Sequence, residues 1–260
     1  MLTHYHEAMH AEPVPVRRIA FFGGSFDPPH AGHLAIARAA LAGLSLDRVL
    51  FAPVGSQPLK PHGASASFED RLAMTRLAIA GQQGFEISLA DAPSSDAPAS
   101  SPNYTINTLL RLRSELPPGS ALSCLMGADS FLILRHWHRA AEIPFVAPLI
   151  VAARPGQSLD DLASCLPHGL TLLQADSASP EIDPLTVRVY RVCNVHGATA
   201  PLYLLPGVHV DISASQIRDA IERAGHAAEE FLPPAVADYI RAHGLYRKAL
   251  TCEPTIERLR

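Results

Sequence analysis

Two patterns of hydrophobic residues alternate along this chain. Short apolar runs, typical of buried strands, are followed by stretches in which apolar residues recur every three or four positions, as on one face of a helix. The first such pair is RRIAFF and HLAIARAALAGL, which ends near Gly43. Because a crossover between parallel strands needs a covering element, this alternation predicts an α/β fold with a doubly wound parallel sheet and helices on both faces.

The same patterns predict the remaining elements of a Rossmann-like arrangement. Further strands are predicted in DRVLFAPV, FEISLAD, ALSCLMG, PLIVAARPG and LYLLPG. Further helices are predicted in SFEDRLAMTRLAIAG, YTINTLLRLRSEL, DSFLILRHW, SASQIRDAIERAG and PPAVADYIRAHG. Ser67 and Asp70 resemble a capping box at the start of one helix. The stretch TVRVYRVCNV alternates in the manner of an exposed hairpin strand.

This interpretation predicts one domain over residues 18–248. A flexible tail, residues 1–17, precedes it, and a second tail, residues 249–260, follows it. Segments near 91–102 and 175–201 interrupt the alternation and are interpreted as surface insertions. With 260 residues, of which 48% are hydrophobic, the chain can bury one sizeable core.

Composition excludes several classes of protein. The formal net charge of -4 and the lack of a basic cluster argue against a nucleic-acid partner. No apolar run approaches the roughly 18 residues of a membrane span, and no signal-peptide pattern is visible. The four cysteines lack metal or disulfide spacing, so we expect reduced thiols. We therefore expect a cytoplasmic protein that acts on small molecules and is compatible with a homo-oligomer.

The stretch GGSFDPPHAGH, residues 23–33, carries the strongest candidate chemistry. Its glycine pair lets the backbone approach a ligand, and its proline pair stiffens the loop that delivers His30 and His33 to the start of a helix. Unpaired amides and the partial positive charge at a helix start favour phosphate, and two imidazoles can donate hydrogen bonds to a phosphoryl group. Zinc is a weaker interpretation, because no cysteine or third histidine lies nearby.

These residues resemble the signature of the nucleotidylyltransferases with an HxGH motif and are most similar to the bacterial nicotinate-nucleotide adenylyltransferases. The resemblance extends over roughly residues 18–247 through APVGSQPLKPH, NYTINTLLRL, GADSFLILRHW, VAARPG, ISASQIR and YIRAHGLY. It implies transfer of the adenylyl group of ATP to nicotinate mononucleotide, which gives nicotinate adenine dinucleotide and pyrophosphate. It also implies Mg²⁺ held mainly by phosphates and water, with no protein ligand.

The resemblance assigns roles to residues at the matching positions. The catalytic groups it implies are His30, His33, Lys60 and Arg218. The ATP site it implies consists of Gly23, Gly24, Ser25, Phe26, His30, His33, Gly127, Asp129, Ile212, Ser213, Ser215 and Arg218. The mononucleotide site it implies consists of Ser25, Lys60, Tyr104, Thr105, Trp137, His138 and Arg154.

Each implied role has a physical basis and an alternative. Ser213 and Ser215 can cap a helix from which Arg218 presents a planar donor fork to phosphate, although a capped helix with a surface arginine has the same pattern. Trp137 can stack on the nicotinate ring, or it can be a packing residue of the core.

The chain departs from the family pattern at two positions. Leu59 stands where many members have histidine, and Asn103 stands where serine is usual. Two rival functions follow from the same residues: a pantetheine-phosphate adenylyltransferase, which shares the HxGH loop, and a sensor that binds nucleotide without turnover. The length of the chain, Trp137 and the Tyr104-Thr105 pair argue against the first.

Overall fold

The computed structural model describes residues 17–59, 63–93, 102–152, 159–173, 187–205, 212–224 and 229–247. Both predicted tails lie almost wholly outside these ranges, as does most of the predicted insertion near 91–102. The predicted domain boundaries therefore stay a prediction.

The described strands form a single sheet. They are β1 (Arg18–Gly24), β2 (Arg48–Pro53), β3 (Phe85–Ile87), β4 (Ala121–Gly127), β5 (Leu149–Ala152), β6 (Leu170–Leu173), β7 (Arg188–Asn194) and β8 (Thr199–Leu205). Their order across the sheet is β3-β2-β1-β4-β5-β8-β7-β6. The six neighbouring strands β3, β2, β1, β4, β5 and β8 pair in parallel, whereas β7 runs antiparallel to both β8 and β6. The sheet is thus mostly parallel, with an antiparallel edge.

Helices cover both faces of this sheet. They are α1 (Ala31–Gly43), α2 (Phe68–Ile79), α3 (Thr105–Glu115), α4 (Ala128–Leu132), α5 (Ile143–Val146), α6 (Leu159–Cys165), α7 (Ala214–Ala224) and α8 (Pro234–His243). Within the described ranges, no helix has the length and apolarity needed to cross a membrane.

Alternate residues of each central strand pack into two hydrophobic cores, a first core that contains Ala20 and a second core that contains Ile19. In β1, Ala20 and Phe22 pack with buried side chains of α1, α2, α7 and α8. Ile19 and Phe21 point the other way and pack with side chains of α3, α4, α5 and α6. Because strand side chains alternate between faces, two layers of helices can each be held by one strand. The prediction of an α/β sheet covered on both faces is confirmed.

Several local predictions need correction. The predicted helix DSFLILRHW is broken: α4 ends at Leu132, and a separate 3₁₀ turn, Leu134–His136, follows it. FEISLAD is a strand only over Phe85–Ile87. The pattern gave no sign of α5, α6 or β6, which are short elements of four to seven residues. So few residues show too little periodicity for a helix or a strand to be recognised.

Part of the segment interpreted as a surface insertion belongs to the sheet. The prediction of a hairpin strand in TVRVYRVCNV is correct, because β7 pairs antiparallel with β8 through a turn at residues 194–198. However, Tyr190 and Val192 of this strand are buried in the second core. The described part, residues 187–201, therefore extends the sheet rather than lying on its surface.

Candidate active site

A cavity of about 1050 Å³ opens at the carboxyl ends of β1 and β4. The strand order reverses between these two strands, since β1 leads to β2 and β3 on one side and β4 leads to β5 on the other. In open α/β sheets, ligands bind in the crevice at this switch point. This volume of about 1050 Å³ lies just above the range for small-molecule sites, which is about 300–1000 Å³.

Most of the residues assigned from the sequence meet in this cavity. Those that line it are Gly23, Gly24, Ser25, Phe26, His30, His33, Tyr104, Thr105, Gly127, Asp129, Trp137, His138, Ile212, Ser213, Ser215 and Arg218. Lys60 and Arg154 lie outside the described residues. The structure thus brings one set of residues together, while their individual roles stay predictions.

His30 and His33 occupy the first turn of α1 with their rings 3.8 Å apart, centroid to centroid. His30 is the N-cap, and its Nδ1 accepts the backbone N–H of Gly32 at 3.2 Å. His33 Nδ1 accepts the backbone N–H of His30, also at 3.2 Å. An accepting Nδ1 requires the proton of a neutral imidazole to be on Nε2. Backbone contacts therefore set the tautomer of both rings.

Burial makes His30 a neutral donor. The side chain is only 6% exposed, and desolvation lowers the pKa of its imidazole to about 4. At neutral pH the ring carries no charge and can offer Nε2–H to a phosphoryl oxygen. A neutral ring of this kind can bind phosphate only through a directed hydrogen bond and not through an ion pair.

Backbone amides at the start of α1 have hydrogen-bond partners, whereas the sequence led us to expect unpaired amides there. Gly32 N–H binds His30 Nδ1, and His33 N–H binds the His30 carbonyl at 3.0 Å. Side-chain capping satisfies amides that would otherwise be orphaned at a helix start. The histidine pair therefore pairs with amides that were expected to have no partner.

Phe26 lies in the same loop and packs against His33 of this pair. Its backbone has a φ of 47°, in the left-handed region, and its side chain is 1% exposed. The ring packs edge-on against the His33 ring with centroids 5.0 Å apart. Although Phe26 contributes to the cavity wall, its main contact is with the hydrophobic core.

Arg218 reaches the same loop from α7. Its Nη1 donates to the Asp27 carbonyl at 2.8 Å, and its Nη2 donates to Ser215 Oγ at 3.1 Å. Ser213 caps α7, since its Oγ accepts the Gln216 N–H and Gln216 Oε1 accepts the Ser213 N–H. Ser215, expected as a second cap, instead holds the guanidinium. The two serines thus have different tasks.

Three further ring-bearing residues that line the cavity are Trp137, Tyr104 and His138. Trp137 is half-buried, packs against the second core and also lines the cavity. The rings of Tyr104 and His138 lie 4.3 Å apart at an angle of 33°. Trp137 thus packs against the core and also borders the cavity, and its stacking on a nicotinate ring stays a prediction.

Two buried carboxylates were missed as site residues. Asp27 and Asp91 are each 3% exposed and line the cavity. Desolvation raises the pKa of the Asp91 carboxyl, although a hydrogen bond from Thr108 and the charge of Arg111 oppose this shift. The available signal was position: Asp27 lies within the loop GGSFDPPHAGH, and Asp91 closely follows β3 at the edge where the cavity opens.

The loop after β2 is joined to the segment before α3. Ser56 N–H donates to Asn103 Oδ1 at 3.0 Å, and Asn103 N–H donates to the Ser56 carbonyl at 3.1 Å. Gly55 N–H donates to the Asp91 carbonyl at 2.7 Å. Asn103, which departs from the family's serine, thus forms a two-bond link between two walls of the cavity.

Metal ligation receives no support from side-chain geometry in the described part of the chain. Among those residues, no group of three or more His, Cys, Asp or Glu side chains could hold an ion.

The fold, the switch-point cavity and the histidine loop define an α/β nucleotide-binding protein of the cytidylyltransferase-like class, and the model of that family, Cytidylyltransferase-like, matches residues 21–220. A "Probable nicotinate-nucleotide adenylyltransferase" of Xylella fastidiosa (strain M12) is 39% identical over 226 residues, which are 87% of this chain and 95% of that protein. A protein of the same name from Solibacter usitatus is 33% identical over 229 residues, 88% of this chain and 99% of that one. The chain belongs to the nicotinate-nucleotide adenylyltransferase family.

Solved structures support the fold. The chain resembles Plasmodium falciparum nicotinic acid mononucleotide adenylyltransferase, solved in complexes with APC and with NaAD. The TM-score is 0.60 for both, with 17% and 16% sequence identity, and the match covers 88% of this chain and 97% of that one. At this identity the likeness concerns the arrangement of helices and strands.

Proposed function

We infer that this chain transfers the adenylyl group of ATP to nicotinate mononucleotide, giving nicotinate adenine dinucleotide and pyrophosphate in NAD biosynthesis. One observation carries the inference: His30, His33 and Arg218 line the same cavity as Trp137 and Tyr104. A phosphate-binding wall and an aromatic wall are the two surfaces that a nucleoside triphosphate and a pyridine mononucleotide require. The names of the relatives support the same activity.

The reaction is a single in-line displacement. A 5′-phosphate oxygen of the mononucleotide forms a bond to the α-phosphorus of ATP while the bond to the β,γ-pyrophosphate breaks, and pyrophosphate leaves. A phosphate monoester is an adequate nucleophile at neutral pH, so no general base is required. Cys124 lines the cavity, but burial and the Asp91 carboxylate raise the pKa of its thiol to about 12, which leaves no thiolate for covalent catalysis.

Catalysis then depends on positioning and on donors directed at the phosphates. His30 and His33 offer ring N–H groups to the phosphoryl oxygens as charge develops on them. Arg218 and Lys60 supply positive charge to the triphosphate. Mg²⁺, held by the phosphates and water, would neutralise further phosphate charge, and we assign it no protein ligand. A cytoplasmic location, a homo-oligomer and the absence of a nucleic-acid partner remain predictions from the sequence.

Release of pyrophosphate from ATP tests this function. The intact chain is incubated with ATP, Mg²⁺ and either nicotinate mononucleotide, nicotinamide mononucleotide, phosphopantetheine or no acceptor. We expect the highest kcat/KM with nicotinate mononucleotide. Faster release with phosphopantetheine would favour the pantetheine-phosphate adenylyltransferase, and nucleotide binding without release with any acceptor would favour the sensor.

A further inference from the structure

The carboxyl-terminal end of the described chain returns to the histidine loop. Tyr246 lies just beyond α8 with a φ of 63°, in the left-handed region. Its hydroxyl donates to Asp27 Oδ1 at 2.8 Å, although the two residues are 219 positions apart. Burial and the neighbouring Asp27 carboxylate raise the pKa of the Tyr246 hydroxyl, so it remains a protonated donor throughout the physiological range.

We propose that Tyr246 is a positioning residue for ATP: it holds Asp27, and Asp27 holds Arg218 at the phosphate side of the cavity. This inference rests on the proposed function, because it assigns Arg218 to the triphosphate. Tyr246 itself is not among the residues that line the cavity, so it acts through Asp27.

Asp27 joins three parts of the chain. Its Oδ2 accepts the Ser65 N–H at 2.7 Å, and its Oδ1 accepts the Ala66 N–H at 3.1 Å together with the Tyr246 hydroxyl. Its carbonyl accepts Arg218 Nη1 at 2.8 Å. Hydrogen bonds to both carboxylate oxygens restrain the position of Asp27, and a shift of this residue would also move the carbonyl that accepts the guanidinium.

Arg218 is therefore oriented in part by an atom outside its own helix, because the Asp27 carbonyl holds Nη1 while Ser215 of α7 holds Nη2. Its Nη1 also lies 3.9 Å from Asp27 Oδ2, which adds charge attraction to the hydrogen bond. A guanidinium recognises phosphate through a planar fork, so its orientation matters as well as its charge. Loss of the Tyr246 hydroxyl should change that orientation while Arg218 keeps its charge.

A purely structural role is the alternative, in which Tyr246 only fastens the end of α8. Tyr239 provides a matched comparison, since its hydroxyl donates to Asp70 Oδ1 at 3.0 Å. Tyr239 is on α8 and is half-buried like Tyr246, but Asp70 is not a cavity residue. Tyr239→Phe therefore removes the same kind of hydrogen bond from the same region and leaves the bonds of Asp27 to Tyr246 and Arg218 intact.

The first experiment measures binding of α,β-methylene-ATP to the full chain by calorimetry. Tyr246→Phe should weaken this binding about 10-fold, in keeping with the loss of a hydrogen bond to a charged group. Tyr239→Phe should change it less than about 2-fold, and neither variant should alter the Kd of nicotinate mononucleotide. Because Ser65 and Ala66 amides still hold Asp27 in Tyr246→Phe, this variant should fold, which circular dichroism checks.

The second experiment is a double-mutant cycle with Arg218→Lys. If Tyr246 acts through the Arg218 fork, Tyr246→Phe should have little further effect on the Kd of the ATP analogue once the fork is gone. Additive losses in the double variant would overturn the inference, as would equal Kd values for Tyr246→Phe and the unaltered chain. A Tyr239→Phe variant that weakens analogue binding as much as Tyr246→Phe would assign both tyrosines to general stability and overturn it as well.

Failure of the proposed function gives a different result. If the unaltered chain binds the ATP analogue but releases no pyrophosphate with nicotinate mononucleotide, the proposed function is wrong while the cycle still decides the role of Tyr246. If turnover is normal and Tyr246→Phe binds the analogue normally, only the role of Tyr246 is wrong. No binding of the analogue to the unaltered chain would overturn both.

Discussion

His30 and His33 stack with ring centroids 3.8 Å apart, and each ring accepts a backbone N–H through Nδ1. The two residues thus cap helix α1, and we expect them to donate to phosphate as well. Capping uses the Nδ1 atoms, so any hydrogen bond that these rings donate to the substrate must come from Nε2.

Removal of either ring should slow the chemical step. We expect His30→Ala and His33→Ala to lower kcat by about 10²-fold, with smaller effects on the KM values, because donors that strengthen toward the transition state act on rate. Steady-state release of pyrophosphate measures both parameters. A near-normal kcat in both variants would remove the histidines from the mechanism.

Acid should destabilise the protein through His30. Its pKa is about 4 in the folded protein and about 6.5 in the unfolded chain, so between these values the unfolded chain binds more protons. Stability should therefore fall as the pH falls through this window, by about 2 kcal/mol between pH 7 and pH 5 from this group alone.

The comparison variant is His30→Gln, which cannot titrate. Urea unfolding at both pH values should show a smaller loss of stability in His30→Gln than in the unaltered chain. Equal losses would mean that His30 is charged, or exposed, in the folded protein.

Arg218→Lys should impair the use of ATP although the charge is kept. A lysine ammonium cannot bridge the Asp27 carbonyl and Ser215 Oγ while it presents a planar fork to phosphate. We expect KM for ATP to rise about 10-fold and KM for the mononucleotide to stay within about 2-fold, as judged by initial rates with each substrate varied. Unchanged ATP parameters would place Arg218 outside the phosphate site.

Trp137 should bind the ring of the mononucleotide but not distinguish its substituent. Stacking depends on the aromatic face, so Trp137→Ala should raise KM for nicotinate and nicotinamide mononucleotides by similar factors. The unaltered chain should prefer nicotinate by at least about 10-fold in kcat/KM, since backbone N–H donors near Tyr104 and Thr105 suit a carboxylate. An unaltered KM in Trp137→Ala would make it a core residue alone, and equal use of both substrates would contradict the expectation that only N–H donors face the substituent.

Gly55→Ala should open the wall formed by the Ser56–Asn103 link. A Cβ at Gly55 would lie 2.8 Å from the backbone nitrogen of Pro93, a contact that only backbone movement can relieve. We expect a loss of about 1–3 kcal/mol in the free energy of unfolding and a higher KM for the mononucleotide. Gly127→Ala is the control for stability, because its Cβ would meet Ile36 at an ordinary 3.7 Å. Equal stability of the two variants would show that the loop adapts freely.

Sequence alone determined the elements that have a long local signature. The run from β1 through the glycine and proline loop to α1 was predictable because strand pattern, turn chemistry and helix pattern follow each other within one short segment. The position of the cavity followed as well, since parallel strands bring their carboxyl ends to one edge. Resemblance to the family added Trp137 and Arg218, which the structure places in that cavity.

Tertiary structure alone decided how Tyr246, Asp27 and Arg218 are brought together. The bond from Tyr246 to Asp27 and the contact of Arg218 with the Asp27 carbonyl span 219 and 191 positions, and no local pattern encodes which surfaces will meet. The break after α4 was hidden for the same reason, because GADSFLILRHW has a helical period throughout and only packing separates α4 from the turn that precedes Trp137. Periodicity reports which face of a segment is apolar, whereas the orientation of a buried polar group depends on partners that folding brings from elsewhere in the chain.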